Sequence, residues 1–222
     1  ESTLPRPPVA PTNFRIQDFP HCISVFWPAV PPTLALTPLD EQLLAMSRRL
    51  AEIGPPPYLG LTWRAGTPPQ EQQGVSWVLY KGVGIALLAE AVRGFPGTVI
   101  ALQRKPMLGE LRRLSDVLGQ PVHDFTDLNE DLEAMLALLA LIDEYIGVSN
   151  TNMHLRAGAG NTARVLVPCP AEWRWMAAGN ESPWFPGFRV YRQQLSGSWD
   201  DAFERLRHDL ITRFVAASQN RS

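Results

Sequence analysis

From Tyr58 onward the sequence alternates short apolar runs with stretches whose apolar residues recur every three or four positions. The runs at 58–63, 98–102, 122–125, 145–148, 163–167 and 188–191 have the length and composition of buried strands. Between them, 83–92, 107–118 and 200–216 carry helical spacing. Leu108, Leu111, Leu114 and Leu118 mark one such face, and Phe203, Leu206, Leu210 and Phe214 another. A further helix is announced by Leu128, Leu132, Met135, Leu136 and Leu139, with Asp127 and Glu130 resembling a capping box. Strands that alternate with helices must lie parallel, and both faces of the sheet must then be covered. The pattern therefore predicts an α/β, Rossmann-like, doubly wound and mostly parallel sheet over 58–222.

Residues 1–57 read differently. The chain has 21 prolines, and they crowd its first part, including Pro5, Pro7, Pro8, Pro11, Pro20, Pro28, Pro31 and Pro32. Proline lacks an amide donor and is kept out of helix interiors and central strands. A mostly irregular segment is expected, with 22–27 as an edge strand. Thr37, Pro38, Asp40 and Glu41 then resemble a helix start, with a hydroxyl N-cap, proline at the first position and acids in the first turn. Leu39, Leu43, Met46 and Leu50 continue that helix to about Ile53, where Gly54 and Pro55 to Pro57 stop it.

Several function classes are disfavoured by what the sequence carries. A net charge of −2 does not supply the basic face that nucleic-acid binding needs. No apolar run is long enough to span a bilayer, and no charged-then-apolar signal opens the chain. Cys22 and Cys169 lie far apart, which reads as reduced thiols in a cytoplasmic protein, with a disulfide as the alternative. No dinucleotide fingerprint, Walker loop or nucleophile elbow is present, and no His/Cys cluster has metal spacing. Neither a metal nor a cofactor is expected.

What remains is a set of polar residues at expected strand ends. Ser149, Asn150, Thr151 and Asn152 form a polar turn after the run at 145–148, and His154 follows at the start of a short helix. In an open α/β sheet, ligands bind outside the carboxyl ends of the strands, and a helix N-terminus favours an anion. His154 has two readings: a histidine hydrogen-bonded within the first helical turn, or a donor to a phosphate or sugar oxygen. Gly66 and Thr67 end the first run, and Lys81 follows as a point charge suited to a diphosphate, or else as a solvated lysine. Gln103, Arg104 and Lys105 follow the second run. Glu172-Trp173-Arg174-Trp175 and Ser182-Pro183-Trp184-Phe185 form an aromatic loop, fit for stacking on a sugar or base or for anchoring a long connection.

Taken together, GLTWRAGT, a later lysine before an apolar helix, VIALQ, and VHDFTDLNEDLEAMLALLALIDEYIGVSNTNMHLRAGAGNTARVLVP resemble a known array. It is similar to the C-terminal, donor-binding half of heptosyltransferase-like glycosyltransferases, especially the bacterial type fused to tetratricopeptide repeats. The segment PAEWRWMAAGNESPWFPGFRVYRQ fits the same group. The resemblance implies one half of a GT-B architecture, with a nucleotide-sugar as donor and a protein or glycan as acceptor. It implies that Gly66, Thr67, Lys81 and the turn Ser149, Asn150, Thr151, Asn152 and His154 surround the donor, with Gln103 near the nucleoside. The turn departs from the family pattern Asp-Thr-x-x-x-His in having Ser149 in the aspartate's place. A second Rossmann-like half is implied as well, which residues 1–57 are too short to supply. The expectation is that 1–36 are the end of that half, or its remnant, and that the helix from Thr37 is a connector. A repeat domain on the N-terminal side is a further implied partner. The alternative reading is a non-catalytic Rossmann-like module that recognises a protein or glycan through the tryptophan loop.

Overall fold

The computed structural model describes residues 34–67, 69–72 and 79–215. The expected edge strand at 22–27 lies outside them. Among the described residues, eight strands and six α-helices follow in chain order: α1 (Asp40–Ile53), β1 (Tyr58–Leu61), β2 (Arg64–Ala65), β3 (Lys81–Gly82), α2 (Ile85–Val92), β4 (Thr98–Ala101) and α3 (Glu110–Leu118). Then come β5 (Val122–Asp124), α4 (Leu132–Leu141), β6 (Glu144–Val148), α5 (Thr151–Gly158), β7 (Arg164–Val167), β8 (Arg189–Arg192) and α6 (Asp200–Leu210). Six strands make one sheet in the order β5-β4-β1-β6-β7-β8, and every pair is parallel. β2 and β3 form a separate antiparallel ribbon.

The sheet is covered on both faces because alternate strand residues feed two cores. Leu59, Leu61, Val99, Ala101, Ile146, Val148, Leu166 and Tyr191 point to one core, which α2, α3 and α6 complete through Leu88, Leu114 and Leu206. Ile100, Tyr145, Val165, Val167 and Val190 point to the other, which α1 and α4 complete through Met46, Leu50, Met135 and Leu138, with Met153 from α5. The expected doubly wound, mostly parallel sheet is therefore present.

Local details differ from the sequence reading. α1 begins at Asp40 with Leu39 as an uncapped N-cap, so Thr37 is not the cap. Asp127 and Glu130 sit in a 3-10 turn, Thr126–Glu130, and Asp131 caps α4 by accepting from the amides of Glu133 and Ala134 at 3.1 and 3.0 Å. Asp127 is instead gripped bidentately by Arg49 at 2.9 Å, and that guanidinium holds its carboxyl below the usual range. α3 begins three residues later than expected, at Glu110, which leaves Leu108 fully exposed rather than on the packed face. The last helix is α-helical only to Leu210, then widens into a π-turn over Ile211–Val215.

Gly147 sets how closely β6 approaches β1. A Cβ there would lie 2.0 Å from Thr62 Oγ1 and 3.0 Å from Thr62 O. Thr62 has little freedom to yield, since its hydroxyl is held by Tyr145 and Asn150, each at 2.9 Å. Gly147→Ala is expected to cost about 2–3 kcal/mol of stability. Denaturant unfolding checks this; an unmoved midpoint would mean that the strands can part at no cost.

Candidate functional site

The strand order reverses between β1 and β6. β1 leads to β4 on one side and β6 to β7 on the other, so a crevice opens at their carboxyl ends. One hydrogen-bonded triangle fastens its floor. Asn150 Nδ2 donates to Thr62 Oγ1 at 2.9 Å and lies 3.0 Å from the Tyr145 hydroxyl, which in turn lies 2.9 Å from Thr62 Oγ1. Asn150 Oδ1 accepts from the Met153 amide at 3.3 Å, which makes Asn150 the N-cap of α5. Burial pushes the Tyr145 phenol up to about 12, so it keeps its proton and its place in the triangle. Asn150 is thus committed to structure, and what it achieves is to aim the N-terminus of α5 into the crevice. Asn152 is buried beneath the turn, whereas Thr151 is exposed at the first helical position.

Above this floor lies a charge cluster drawn from three loops. The β2–β3 ribbon presents Lys81, with Ala65 as its cross-strand partner. Lys81 Nζ pairs with Glu172 Oε1 at 3.2 Å, and Arg174 lies 3.9 Å from the same oxygen. Arg174 also reaches His154 Nε2 at 3.2 Å. Glu172 belongs to the loop after β7 and Ser149 to the turn after β6. Ser149 Oγ and Glu172 Oε2 are both buried without a hydrogen bond of good geometry, yet the hydroxyl is near enough to favour the ionised carboxylate. Burial opposes that ionisation, but Ser149, Lys81 and Arg174 together outweigh it and hold the Glu172 carboxyl below its usual range. His154 is exposed as a residue, although its ring packs edge-on against Phe185 with centroids 5.1 Å apart. That partial burial, followed by the nearby Arg174 and Lys81 charges, holds the imidazole below its usual pKa against the pull of Glu172.

The expected site residues divide into three groups. Lys81, Ser149, Asn150, Thr151, Asn152 and His154 come together at the crevice, while Gly66 and Thr67 directly follow β2 of the ribbon that presents Lys81. Gly66 has φ +87, and a Cβ there would meet Leu79 O at 2.6 Å, so glycine is needed by the ribbon itself. Gln103 is different. Its Oε1 accepts from the Trp63 and Arg64 amides at 3.0 and 2.9 Å, and its Nε2 donates to the Arg64 and Arg104 carbonyls at 3.2 and 2.9 Å. An amide side chain so bonded has nothing left for a nucleoside, so Gln103 braces the loop after β1. Sequence reasoning placed Glu172 and Arg174 only in an aromatic loop. The signal available was a carboxylate and a guanidinium flanking Trp173 in the loop after a strand.

That loop is itself well anchored. Trp175 stacks on Phe185 with centroids 4.5 Å apart, while Trp173 and Trp184 meet edge-to-face at 5.0 Å. A separate groove of about 610 Å³ lies between β8 and α6, away from the crevice. Its arginines are already paired, Arg205 with Asp201 and Asn180, and Arg189 with Asp209. Among the described residues, no group of three His, Cys, Asp or Glu could hold a metal ion, and no helix is long and apolar enough to cross a membrane.

A doubly wound domain whose switch point gathers a helix N-terminus and a charge cluster is the class that fold and geometry define. The crystal structure of the glycosyl transferase family 9 protein from Veillonella parvula DSM 2008 shares this fold, with a TM-score of 0.50 at 12% identity. The match covers 73% of this chain and 43% of that one. By sequence, the chain is 26% identical over 206 residues to Protein FlbA of Caulobacter vibrioides (strain ATCC 19089 / CIP 103742 / CB 15). That alignment takes in 87% of this chain but only 33% of FlbA, so the chain spans about a third of its curated relative. No family model matches the chain.

Proposed function

We propose that this chain is the donor-binding half of a glycosyltransferase that moves a sugar from a nucleotide-sugar to a protein or glycan acceptor. The observation that carries the reading is the meeting of Lys81, His154 and buried Ser149 around the N-terminus of α5, where the strand order reverses. A donor diphosphate placed there would face a helix N-terminus and a cation in a site partly closed to water. In the transfer, the acceptor hydroxyl oxygen bonds to the anomeric carbon as the bond from that carbon to the diphosphate oxygen breaks. The leaving diphosphate then gathers negative charge, which Lys81, His154 and the helix stabilise. The acceptor's proton passes to a base contributed with the acceptor. Residues that bind the acceptor belong to a second half, with α1 as the connector to it.

His154 gives this reading a pH signature. The free imidazole is held below its usual pKa, and an adjacent diphosphate would favour the charged form, so binding takes up a proton. Affinity should then rise as pH falls through the raised pKa of the complex, by about threefold to tenfold between pH 8 and 6. Calorimetric titration with UDP-glucose, GDP-mannose and ADP-glucose tests the reading, with His154→Gln as the control for protonation of the ligand itself. A donor should bind, and the variant should lose the protein's share of the slope. No binding of any nucleotide-sugar at millimolar levels would sink it.

A second reading has its own observation in the Trp173–Trp184 pair, which is partly open to solvent. A glycan-recognition module would use that pair and not Lys81. Trp173→Ala would then abolish capture of the glycan while Lys81→Ala left it intact.

A further inference from the structure

The Glu172 carboxylate sits between two cations of the crevice. Its Oε1 contacts Lys81 Nζ and approaches Arg174, and it faces the Ser149 hydroxyl just ahead of α5. The Lys81 and Glu172 side chains are 12% and 17% exposed, so water screens the pair weakly. Arg174 completes the arrangement by turning one nitrogen to His154 and another towards Glu172.

The closed arrangement leaves polar groups unmet. Ser149 Oγ and Glu172 Oε2 are buried near each other without a hydrogen bond of good geometry, and Arg174 Nε and Trp175 Nε1 are buried without a hydrogen-bond partner. Among the described residues only one other side-chain atom, Trp63 Nε1, shares that condition. Buried polar groups are normally satisfied, and exceptions that gather on the loop from Glu172 to Trp175 and the facing Ser149 mark a conformation that a ligand can improve.

We infer that Arg174 is a second cation of the anion site, beside Lys81 and the His154 imidazole, and that Glu172 is the internal counter-ion a ligand displaces. On this account the diphosphate takes Lys81 and Arg174 from the Glu172 carboxylate, whose side chain turns away while the anchored loop keeps Arg174 in place. The identity of the anion as a donor diphosphate rests on the glycosyltransferase reading. The exchange of one anion for another rests on the charge cluster alone. Glu172 thereby sets a threshold: a weakly charged ligand cannot win both cations, whereas a diphosphate can.

Opposite signs make the test sharp. The full chain, Glu172→Gln, Arg174→Gln and the charge-keeping Glu172→Asp are titrated by calorimetry with inorganic pyrophosphate, and in parallel with UDP-glucose, GDP-mannose and ADP-glucose. Glu172→Gln should bind pyrophosphate about tenfold more tightly than the parent, and Arg174→Gln about tenfold more weakly. Glu172→Asp should stay within about twofold, which separates charge from packing. The inference is overturned if Glu172→Gln binds no more tightly than the parent, if Arg174→Gln binds as tightly, or if no variant binds pyrophosphate. If the pyrophosphate shifts appear but no nucleotide-sugar binds, the anion exchange stands and the donor reading falls.

Discussion

Arg156→Leu should cost about 3–5 kcal/mol of stability, the largest loss expected of any single change discussed for this chain. The last carbonyls of a helix have no partners within it, and those of α4 are met by a side chain from α5. Arg156 Nε donates to Thr162 O at 2.9 Å, NH1 to the carbonyls of Leu139 and Ile142, and NH2 to Asp143 O at 3.3 Å. Asn161 Nδ2 meets Ala140 O at 3.1 Å beside them. The guanidinium is only 3% exposed, and burial lowers its pKa to about 10, which still leaves it charged at neutral pH. Leucine fits the volume but leaves the carbonyls buried and unmet. The consequence reaches function, because α4 is the crossover that delivers β6 to the sheet centre and α5 carries the crevice at its other end. Urea unfolding measures the loss; a value under about 1 kcal/mol would mean that water replaces the guanidinium freely.

Lys81→Ala should weaken binding of a nucleoside diphosphate by about thirtyfold, or roughly 2 kcal/mol. Two effects act in the same direction. The site loses its point charge for the ligand, and Glu172 loses the partner that neutralises it, leaving a carboxylate that repels the incoming phosphates. Stability should move much less, because Arg174 and Ser149 still face Glu172. Calorimetry and a thermal melt on the same sample separate the two quantities. Unchanged affinity in a well-folded variant would remove Lys81 from the site.

The alternation of apolar runs with helical periods made the sheet, its parallel sense and its helical cover legible, since each property follows from spacing within one segment. The limits lie where a residue's partner is distant in sequence. Asp127 has the spacing of a cap, but Arg49, 78 residues earlier, claims it, and Asp131 caps α4 instead. Nothing local distinguishes a Gln103 that reads a ligand from one that clamps Trp63 and Arg64, 40 and 39 residues away. The ribbon that presents Lys81 leaves no mark in the sequence, because strands of two residues carry no periodicity. At the crevice, the turn from Ser149 to His154 could be placed from sequence because it follows a strand directly. Glu172 could not, since its role comes from Lys81, 91 residues earlier in the chain.

Amide chemical-shift mapping on the isotope-labelled chain, titrated with the nucleoside diphosphate that binds best, tests the location of the anion site most directly. The account predicts that the largest shifts fall on Ser149 to His154, on Lys81 and Gly82, and on Glu172 to Trp175. Shifts confined to the groove between β8 and α6, around Arg189, Arg205 and His208, would contradict it.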